Sequence, residues 1–329
     1  MMQAVLQDAP GGANTLYIGE APRPQRQAGQ LLVQVMAAGI NRADIVQREG
    51  HYPPPPGASS ILGLEIAGVV VEADDNSRHQ PGDAVFGLVA GGAYAEYAVL
   101  DEVLAIAKPD EMSWAEAVSL PEAWMTAWLN LVQVGQVKAG DNVLIHAGAS
   151  GVGACAIQLA CLLGAHPFAS AGSADKLQFC REMGAKQVFN YKETPAFSRL
   201  VKEWGGVDMI LDPVGAAYLA ENLASLKQDG RLVNIGIMGG GKAELNLGLV
   251  LMKRLSVIGS TLRSQPLAKK VPLAQALADT ILPAITAGRL NTTVDSSYPW
   301  QQVAEAHAHM EANANLGKVV LTFFPVMTA

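Results

Sequence analysis

The feature that most constrains the fold is a short apolar strand followed by a glycine-rich turn and a helix, within residues 142–160. Residues 143–145 form an apolar run without polar alternation, as expected of a parallel strand covered on both faces. Gly148, Gly151 and Gly153 lie in the turn. Because glycines let backbone N–H groups approach an anion at the positive end of a helix dipole, the segment is typical of a dinucleotide-phosphate site. The spacing departs from strict G-x-G-x-x-G, and many strand-to-helix turns use glycine for positive φ, so the turn alone leaves cofactor binding open.

The next expected strand, residues 165–171, bears on the choice of cofactor. It ends without the acidic residue that NAD-binding folds place on the ribose 2′-hydroxyl. Ser173 and Lys176 follow instead, and a hydroxyl and an ammonium suit a 2′-phosphate that a carboxylate would repel. The sequence therefore favours NADPH over NADH. In the alternative interpretation, Ser173 only caps the next helix, Lys176 is a surface lysine, and Asp175 lies where a helix dipole favours an acid.

The composition excludes several classes of protein. At 329 residues, two domains are the natural expectation. A net charge of -7 and the lack of a Lys/Arg run argue against nucleic acid as a partner. No basic leader with an apolar core and no stretch of ~20 uncharged apolar residues is present, which predicts a cytoplasmic protein without a membrane partner. The three cysteines and six histidines do not show zinc-ligand spacing, so we expect no metal.

The sequence pattern divides the chain into two kinds of region. The first third is rich in short strands, expected at 31–35, 68–72, 83–87 and 93–99. A capping-box pattern at Ser113–Glu116 opens a helix, and a second helix begins at Pro121 and runs toward Val134. From Asp141 onward strands and helices alternate, which predicts a doubly wound parallel sheet. The expected strands are 143–147, 166–171, 187–190, 207–212, 230–236 and 255–260, and the expected helices are 152–163, 174–183, 195–203 and 216–226.

The last part of the chain is expected to return to the β-rich domain. A helix with Pro272 near its start runs through Ala284, another ends near Met310, and a closing strand covers 318–323. The α/β doubly wound unit is then inserted in a discontinuous β-rich partner, with the active site expected in the cleft between them. The apolar run 255–260 falls at the expected sheet edge, and an exposed edge invites pairing with a second copy, so we expect a homodimer.

A series of motifs then connects the chain to a known family. The motifs lie at 39–44, 47–52, 54–59, 63–65, 121–124, 144–148, 150–153, 189–192, 238–241 and 310–313. On these residues the chain resembles the zinc-independent, zeta-crystallin-like quinone oxidoreductases of the medium-chain dehydrogenase/reductase superfamily. Within them it is most similar to the branch whose animal member is induced by a tumour suppressor.

The resemblance implies a fold and an activity. It implies a GroES-like β-rich catalytic domain formed by residues 1–122 and 265–329, with a Rossmann NADPH-binding domain inserted at 123–264. The implied activity is reduction of quinones by NADPH. Zinc-dependent members of the superfamily carry a metal-binding Cys near the position of Arg42 and a His before the equivalent of Glu65. Leu64 precedes Glu65 here, which agrees with the expected lack of a metal.

The resemblance also implies which residues hold the cofactor. Those expected at the pyrophosphate are Ser150, Gly151 and Val152. Those expected around the 2′-phosphate and adenosine are Ser173, Lys176 and Tyr191. Those expected near the nicotinamide, its ribose and its carboxamide are Asn41, Thr126, Val214, Gly239, Leu262 and Arg263. Lys318 is a further candidate.

The implied catalytic residues are Tyr52 and Asn41, which face the substrate. The cofactor carries the hydride chemistry, and holding donor and acceptor face to face is worth roughly 7 to 11 kcal/mol. A hydrogen bond to the quinone oxygen from either side chain adds about 3 kcal/mol. In the alternative interpretations Tyr52 stacks or packs against the prolines, and Asn41 fixes the loop after Gly39. Two other functions stay open: reduction of α,β-unsaturated carbonyls, and binding of NADPH without catalysis. Arg42, Asp44 and Glu65 are expected to form an internal ion pair.

Overall fold

The computed structural model describes residues 1–323, and the chain divides into two compact units. Unit 1 comprises Met1–Met125 together with the chain from Arg263 onward, and unit 2 comprises Thr126–Leu262. From the sequence, boundaries are expected after residues 122 and 264. Unit 1 is thus built from two segments of the chain, and unit 2 from the single segment between them.

The first segment of unit 1 is rich in strands. Its strands are β1 (Met2–Leu6), β2 (Tyr17–Ala21), β3 (Gln30–Ile40), β4 (Glu65–Glu72), β5 (Ala84–Leu88), β6 (Tyr97–Asp101) and β7 (Ile106–Ala107). Its helices are α1 (Arg42–Arg48) and α2 (Trp114–Val118). A third helix, α3 (Pro121–Trp128), begins in unit 1, and its chain continues in unit 2 as a π-helical turn, Leu129–Val134. The capping box is confirmed, because Ser113 and Glu116 bond each other's backbone N–H at the start of α2.

Unit 2 alternates strands and helices. Its strands are β8 (Asn142–Ile145), β9 (His166–Ala171), β10 (Gln187–Asn190), β11 (Val207–Asp212), β12 (Leu226–Asn234) and β13 (Ser256–Gly259). Its helices are α4 (Gly151–Leu162), α5 (Ala174–Glu182), α6 (Phe197–Glu203), α7 (Leu219–Ser225) and α8 (Leu247–Lys253). The strands are parallel in the order β10-β9-β8-β11-β12-β13, which confirms the predicted doubly wound sheet.

The second segment of unit 1 returns to the sheet formed by the first segment. It contains α9 (Leu267–Ala276), α10 (Leu282–Thr286), β14 (Val294–Pro299), α11 (Val303–Glu311) and β15 (Lys318–Thr322). The sheet has the order β14-β15-β3-β4-β5-β7, with β6 also paired to β3. β15 lies antiparallel to β3, with Val319 opposite Ile40, so the prediction that the closing strand rejoins the first β segment is confirmed.

Several elements differ from the sequence-based expectation. The strand expected at 93–99 begins only at Tyr97, and β12 begins at Leu226 rather than near residue 230. The start of β12 was missed because Lys227, Gln228 and Asp229 are polar and Asp229 has a φ of 61°, so no apolar pattern marks this part of the strand. α8 was not expected at all.

The topology of unit 2 has a switch point at its centre. β8 lies between β9 and β11, and the chain proceeds outward from β8 to β10 on one side and from β11 to β13 on the other. Phe168, Phe189, Phe197 and Leu232 pack in the core of this unit, together with Leu144 of β8. Ligands of doubly wound sheets bind where the carboxyl ends of strands meet at such a point, so the turn after β8 lies at the expected place.

Apolar side chains remain at one surface of unit 2. In the described residues β13 is one of the two edge strands of the parallel sheet, paired with β12 alone, and Val257 is 44% exposed. On α8, Leu251 and Met252 are 76% and 75% exposed. Among the helices of residues 1–323, none is long and apolar enough to cross a membrane.

Candidate active site and cofactor site

The turn between β8 and α4 is built from close backbone contacts. Ser150 caps α4, because its hydroxyl accepts a hydrogen bond from the Gly153 N–H at 3.1 Å. The Gly148 N–H donates to the Ser170 carbonyl at 2.9 Å, which ties the turn to β9. A Cβ at Gly153 would lie 2.3 Å from the Ala147 carbonyl oxygen, so only glycine fits there.

The same geometry leaves donors for an anion. The N–H groups in the first turn of a helix have no intrahelical partner, so those of Gly151 and Val152 are available at the start of α4. They carry the positive end of the helix dipole. Ser150 uses its oxygen for the cap and keeps its hydroxyl proton for donation. The three residues expected at the pyrophosphate therefore lie together.

A second polar group gathers at the end of β9. Ser173 caps α5, since its hydroxyl accepts from the Lys176 N–H at 3.4 Å, so the capping interpretation is confirmed. Capping does not exclude a second role, because the hydroxyl proton remains free to donate. Lys176 is partly buried rather than a fully exposed lysine. A Cβ at Gly172 would lie 2.6 Å from the Tyr191 hydroxyl oxygen, so that hydroxyl lies directly beside Gly172. Gly172 immediately precedes Ser173 in the chain.

The remaining expected cofactor residues of unit 2 follow the ends of other strands. Val214 follows β11 and Gly239 follows β12, and the Gly239 N–H donates to the Val214 carbonyl at 2.7 Å. Asp212 holds the first of these loops, since its carboxylate accepts from the Val214 N–H at 2.6 Å. Leu262 follows β13 and is buried.

Thr126 carries a buried polar atom without a partner. Its hydroxyl oxygen is buried and makes no hydrogen bond to any residue in 1–323. A buried hydroxyl left in this state is costly, so such an atom marks a place where a ligand or water completes the bonding. Together with the glycine turn that a Cβ would fill, this shows that the residues present fit a nicotinamide dinucleotide.

Unit 1 contains a buried ionic group centred on Glu65. Lys318, at the start of β15, is 3% exposed, and its ammonium contacts a Glu65 carboxylate oxygen at 2.5 Å. The same ammonium donates to the Asn41 side-chain oxygen at 2.6 Å and to the Ile40 carbonyl at 3.3 Å. All three of its N–H bonds are therefore used inside unit 1. This arrangement makes Lys318 a residue that holds Asn41 and Glu65, and it leaves the ammonium no donor for a cofactor.

Asn41 is held in one orientation by these contacts. Its side-chain N–H donates to Glu65 at 2.8 Å, while its backbone N–H donates to Asp44 at 2.8 Å at the start of α1. A carboxamide nitrogen has two hydrogens, so one N–H of Asn41 remains for a ligand. Gly39 makes room for the group, because a Cβ there would lie 2.1 Å from the Glu65 carboxylate. Asn41 thus fixes the loop after Gly39, as the alternative interpretation predicts, and still offers a donor.

The charged residues near Asn41 pair differently from the expected internal ion pair. Glu65 pairs with Lys318, whereas the Arg42 guanidinium donates to the Met310 carbonyl at 2.9 Å. Asp44 accepts from the Tyr94 hydroxyl at 3.0 Å, and burial raises the pKa of its carboxyl to about 6 against the opposing effect of these hydrogen bonds. The expectation that Arg42, Asp44 and Glu65 pair among themselves is wrong, because Lys318 is the buried cation.

Tyr52 and Arg263 form the other part of the unit 1 site. The Arg263 guanidinium lies 5.4 Å from the centroid of the Tyr52 ring and donates to the Ala90 carbonyl and to Gln47 at 2.8 Å. Arg263 therefore belongs to unit 1 and orients Tyr52 through a cation–π contact. The Tyr52 hydroxyl makes no hydrogen bond within residues 1–323, so it is a second unpaired donor. Desolvation is the main reason that the pKa of this hydroxyl is raised above its ordinary value.

The sequence did not single out Glu122, which lies close to this group. Its backbone N–H donates to the second Glu65 oxygen at 2.8 Å. From the sequence it is only an acid in the first turn of a helix, where the dipole favours one. No sequence signal connects it with Glu65, because that contact depends on how α3 lies against β4.

The residues present do not fit a zinc ion. Within residues 1–323, no three His, Cys, Asp or Glu side chains converge in a way that could hold a metal. Arg42 is engaged with the end of α11 and Leu64 is buried beside Glu65, so neither supplies a ligand.

Comparisons with known proteins agree with this architecture. Residues 27–110 match the model of the alcohol dehydrogenase GroES-like domain, and residues 151–278 match that of zinc-binding dehydrogenases. Human quinone oxidoreductase is 30% identical over 98% of this chain and 98% of that protein. The chain therefore belongs to the medium-chain dehydrogenase/reductase superfamily and has quinone oxidoreductases among its relatives, which confirms the GroES-like and Rossmann fold implied by the resemblance.

Two solved structures extend the comparison. Mycobacterial Rv1454c complexed with NADPH has a TM-score of 0.89 at 29% identity, covering 98% of this chain and 100% of that one. A quinone oxidoreductase of Pseudomonas syringae pv. Tomato DC3000 has a TM-score of 0.87 at 28% identity, with coverage of 98% and 100%. The fold and the relatives therefore define the class of this protein, which is an oxidoreductase that binds a nicotinamide cofactor.

Proposed function

We propose that the protein is an NADPH-dependent quinone oxidoreductase that passes reducing equivalents from NADPH to a quinone without a metal. The observation that carries the proposal is the pair of unpaired hydrogen-bond donors in unit 1, the Tyr52 hydroxyl and one N–H of Asn41. A quinone presents a carbonyl oxygen to such donors and needs no nucleophile. The relatives named above support the same substrate class.

The chain's own residues orient the substrate and stabilise the negative charge that develops on it. When bound, the nicotinamide supplies a hydride. Asn41 and Tyr52 donate hydrogen bonds to the quinone oxygen as it gains negative charge, each worth up to about 3 kcal/mol when aligned. Lys318 and Glu65 keep Asn41 in its orientation through the contacts described above. The Arg263 guanidinium keeps the Tyr52 ring in place and adds positive charge near the developing anion.

Preference for the phosphorylated cofactor is assigned to Ser173, Lys176 and Tyr191. These residues offer a hydroxyl, an ammonium and a second hydroxyl at the end of β9. Lys176→Ala is expected to reduce the ratio of NADPH to NADH affinity about 10-fold, because a charge-assisted hydrogen bond contributes about 1.5–3 kcal/mol. Lys192→Ala, which removes an exposed lysine beside Tyr191, is the matched control and should leave the ratio unchanged.

Stopped-flow oxidation of NADPH by a small quinone tests the reaction. Rapid oxidation with a quinone and slow oxidation with an α,β-unsaturated carbonyl at matched concentrations are expected. A faster reaction with the unsaturated carbonyl would transfer the proposal to that substrate class. Tight NADPH binding without oxidation by any acceptor would show instead a binding protein without catalysis.

We also propose that a second copy of the chain pairs with the edge of β13. The edge strand is free in residues 1–323, and exposed apolar residues on β13 and α8 surround it. Val257→Lys is expected to convert a dimer to a monomer in analytical ultracentrifugation. Val103→Lys, at a valine of similar exposure in unit 1 (45% against 44%), should leave the dimer intact. A monomeric wild-type protein at micromolar concentration would contradict the proposal. The cytoplasmic location stays a prediction, to be checked by cell fractionation.

A further inference from the structure

Two acidic residues, Glu65 and Glu122, are neighbours in unit 1, and their carboxyl groups have unequal surroundings. Glu65 accepts hydrogen bonds from Asn41 and Lys318 on one oxygen and from the Glu122 backbone N–H on the other. The ammonium of Lys318 has no further N–H to offer, since its third bond goes to Ile40. Glu65 is therefore fully paired, and its charge is matched.

Glu122 has no such partner. Its side chain is partly buried, and its carboxyl oxygens make no hydrogen bond to any residue of the part of the chain that the structure describes. The bond from its backbone N–H to Glu65 fixes Glu122 beside a carboxylate that already has its cation. An acid in this position is better accommodated with its proton than without it, because a second negative charge would be poorly solvated and close to the first.

Burial and the neighbouring acids also favour the protonated form of Glu122. Burial is the main reason that its pKa is raised to about 8, and the charges of Glu65 and Asp44 raise it further. Lys318 from β15 and Lys270 from α9 oppose this rise without cancelling it. Tyr52 and Arg263 are the other ionisable groups that interact with Glu122. Near pH 7, Glu122 is thus a neutral carboxylic acid among the groups assigned to the substrate.

We propose that Glu122 is a catalytic residue that touches the substrate and donates the proton that completes reduction of the quinone. This inference rests on the proposed function. The quinone takes up a hydride, which brings two electrons and one hydrogen, and becomes a hydroquinone anion. The O–H bond of Glu122 then breaks as a new O–H bond forms on the hydroquinone oxygen. Glu122 regains its proton from water, so one quinone, one NADPH and one proton give one hydroquinone and one NADP⁺.

Tyr52 is a weaker proton source than Glu122. Desolvation raises the pKa of its hydroxyl above the ordinary value of a tyrosine, and the opposing charge of Arg263 does not cancel this rise. A group of this kind donates a hydrogen bond but keeps its proton. Tyr52 and Asn41 therefore orient the oxygen, and Glu122 supplies the proton, because a donor is most effective when its pKa lies near the working pH.

Glu122→Gln tests the role in solution. The substitution keeps the size of the side chain and leaves the backbone bond to Glu65 in place. It is expected to lower kcat about 100-fold at pH 7, as is typical for loss of a general acid. The wild-type rate should fall as pH rises through about 8, whereas the variant's rate should be independent of pH there. Glu305→Gln, which changes an exposed glutamate in the first turn of α11, should behave as wild type.

Infrared spectroscopy of the cofactor-free protein gives a readout that does not depend on turnover. The wild type should show the carbonyl band of a protonated carboxyl that disappears near pH 8, and Glu122→Gln should lack it. An unchanged rate and pH profile in the variant, or no such band, would overturn the assignment of Glu122 while wild-type quinone reduction left the proposed function intact. A wild-type enzyme that reduced no quinone would overturn the proposed function itself.

Discussion

The two units provide binding groups in different ways. In unit 2 the groups assigned to the phosphates are mainly backbone N–H groups and hydroxyls in turns that follow strand ends, and Gly153 makes the closest of these turns possible. In unit 1 the groups assigned to the substrate are side chains held by buried charges, with Lys318 and Glu65 at the centre. In the functions proposed for the two units, an anion is received mainly by main-chain N–H groups and hydroxyls, whereas a proton and hydrogen bonds for one carbonyl oxygen come from side chains of controlled charge.

The largest expected effect comes from breaking the ionic group of unit 1. Lys318→Met leaves Glu65 buried without its cation, and loss of one partner of a buried pair costs about 3–5 kcal/mol. The free energy of unfolding in urea should fall by this amount. Substrate turnover should fall as well, because Asn41 loses the bond that fixes its side-chain oxygen.

The matched control lies in unit 2. Lys227 pairs with Asp208 at 2.7 Å, but both side chains are partly exposed, and exposed pairs contribute less than about 1 kcal/mol. Lys227→Met should therefore change the unfolding free energy little. Equal losses in the two variants would show that burial does not distinguish the ionic groups of the two units.

An intermediate effect is expected at the main-chain site of unit 2. In Gly153→Ala the new Cβ would approach the Ala147 carbonyl to 2.3 Å, so the turn must shift and its N–H groups move away from the phosphates. NADPH affinity measured by calorimetry should fall about 100-fold, which corresponds to the loss of one or two charge-assisted hydrogen bonds. Gly259→Ala, where a Cβ meets open space, is the control. Unchanged affinity in Gly153→Ala would refute the main-chain assignment.

A further expected effect is a pH dependence of stability caused by Glu122. Its pKa is raised from 4.5 to about 8 on folding, so between these values the folded protein binds more protons than the unfolded chain. The contribution of Glu122 to stability therefore declines as pH rises through this range. Glu122→Gln should gain in Tm relative to wild type between pH 5 and about 8 and gain no more above it. A constant difference in Tm across this range, as expected for Glu305→Gln, would argue against a retained proton.

The sequence predicted unit 2 well because its signals are local. Apolar runs, the glycine turn and the Ser173 cap each lie within a few residues of the structure they specify. The start of β12 and the helix α8 are the exceptions to this local prediction. β12 begins at Leu226, which pairs with Val207 of β11, and the polar residues 227–229 that follow lie where the register of this pairing shifts, so no side-chain pattern marks the start of the strand. α8 carries exposed apolar residues on a short helix, so its amphipathic pattern is weak.

The site in unit 1 could be predicted only in part. Asn41 and Tyr52 lie in motifs that carry the family resemblance, so they were expected at the substrate. The Asn41, Glu65, Glu122 and Lys318 group depends on sheet register, which places Val319 opposite Ile40 and Ile66 opposite Ala38. Nothing in a single sequence specifies that register across almost the whole chain. The function of Lys318 as the cation of Glu65, and the position of Glu122, therefore required the structure.

The pairing of β15 with β3 also determines when each half of the protein is finished during synthesis. Every strand of unit 2 has left the ribosome once residue 262 has emerged, and a domain generally folds as soon as its own chain is available. The sheet of unit 1 is completed only by β15, so until β15 emerges residues 37–40 of β3 lack the partner strand that pairs with them there. A newly made chain thus passes through a stage in which all of unit 2 has been synthesised while unit 1 still lacks Lys318, the buried cation that pairs with Glu65.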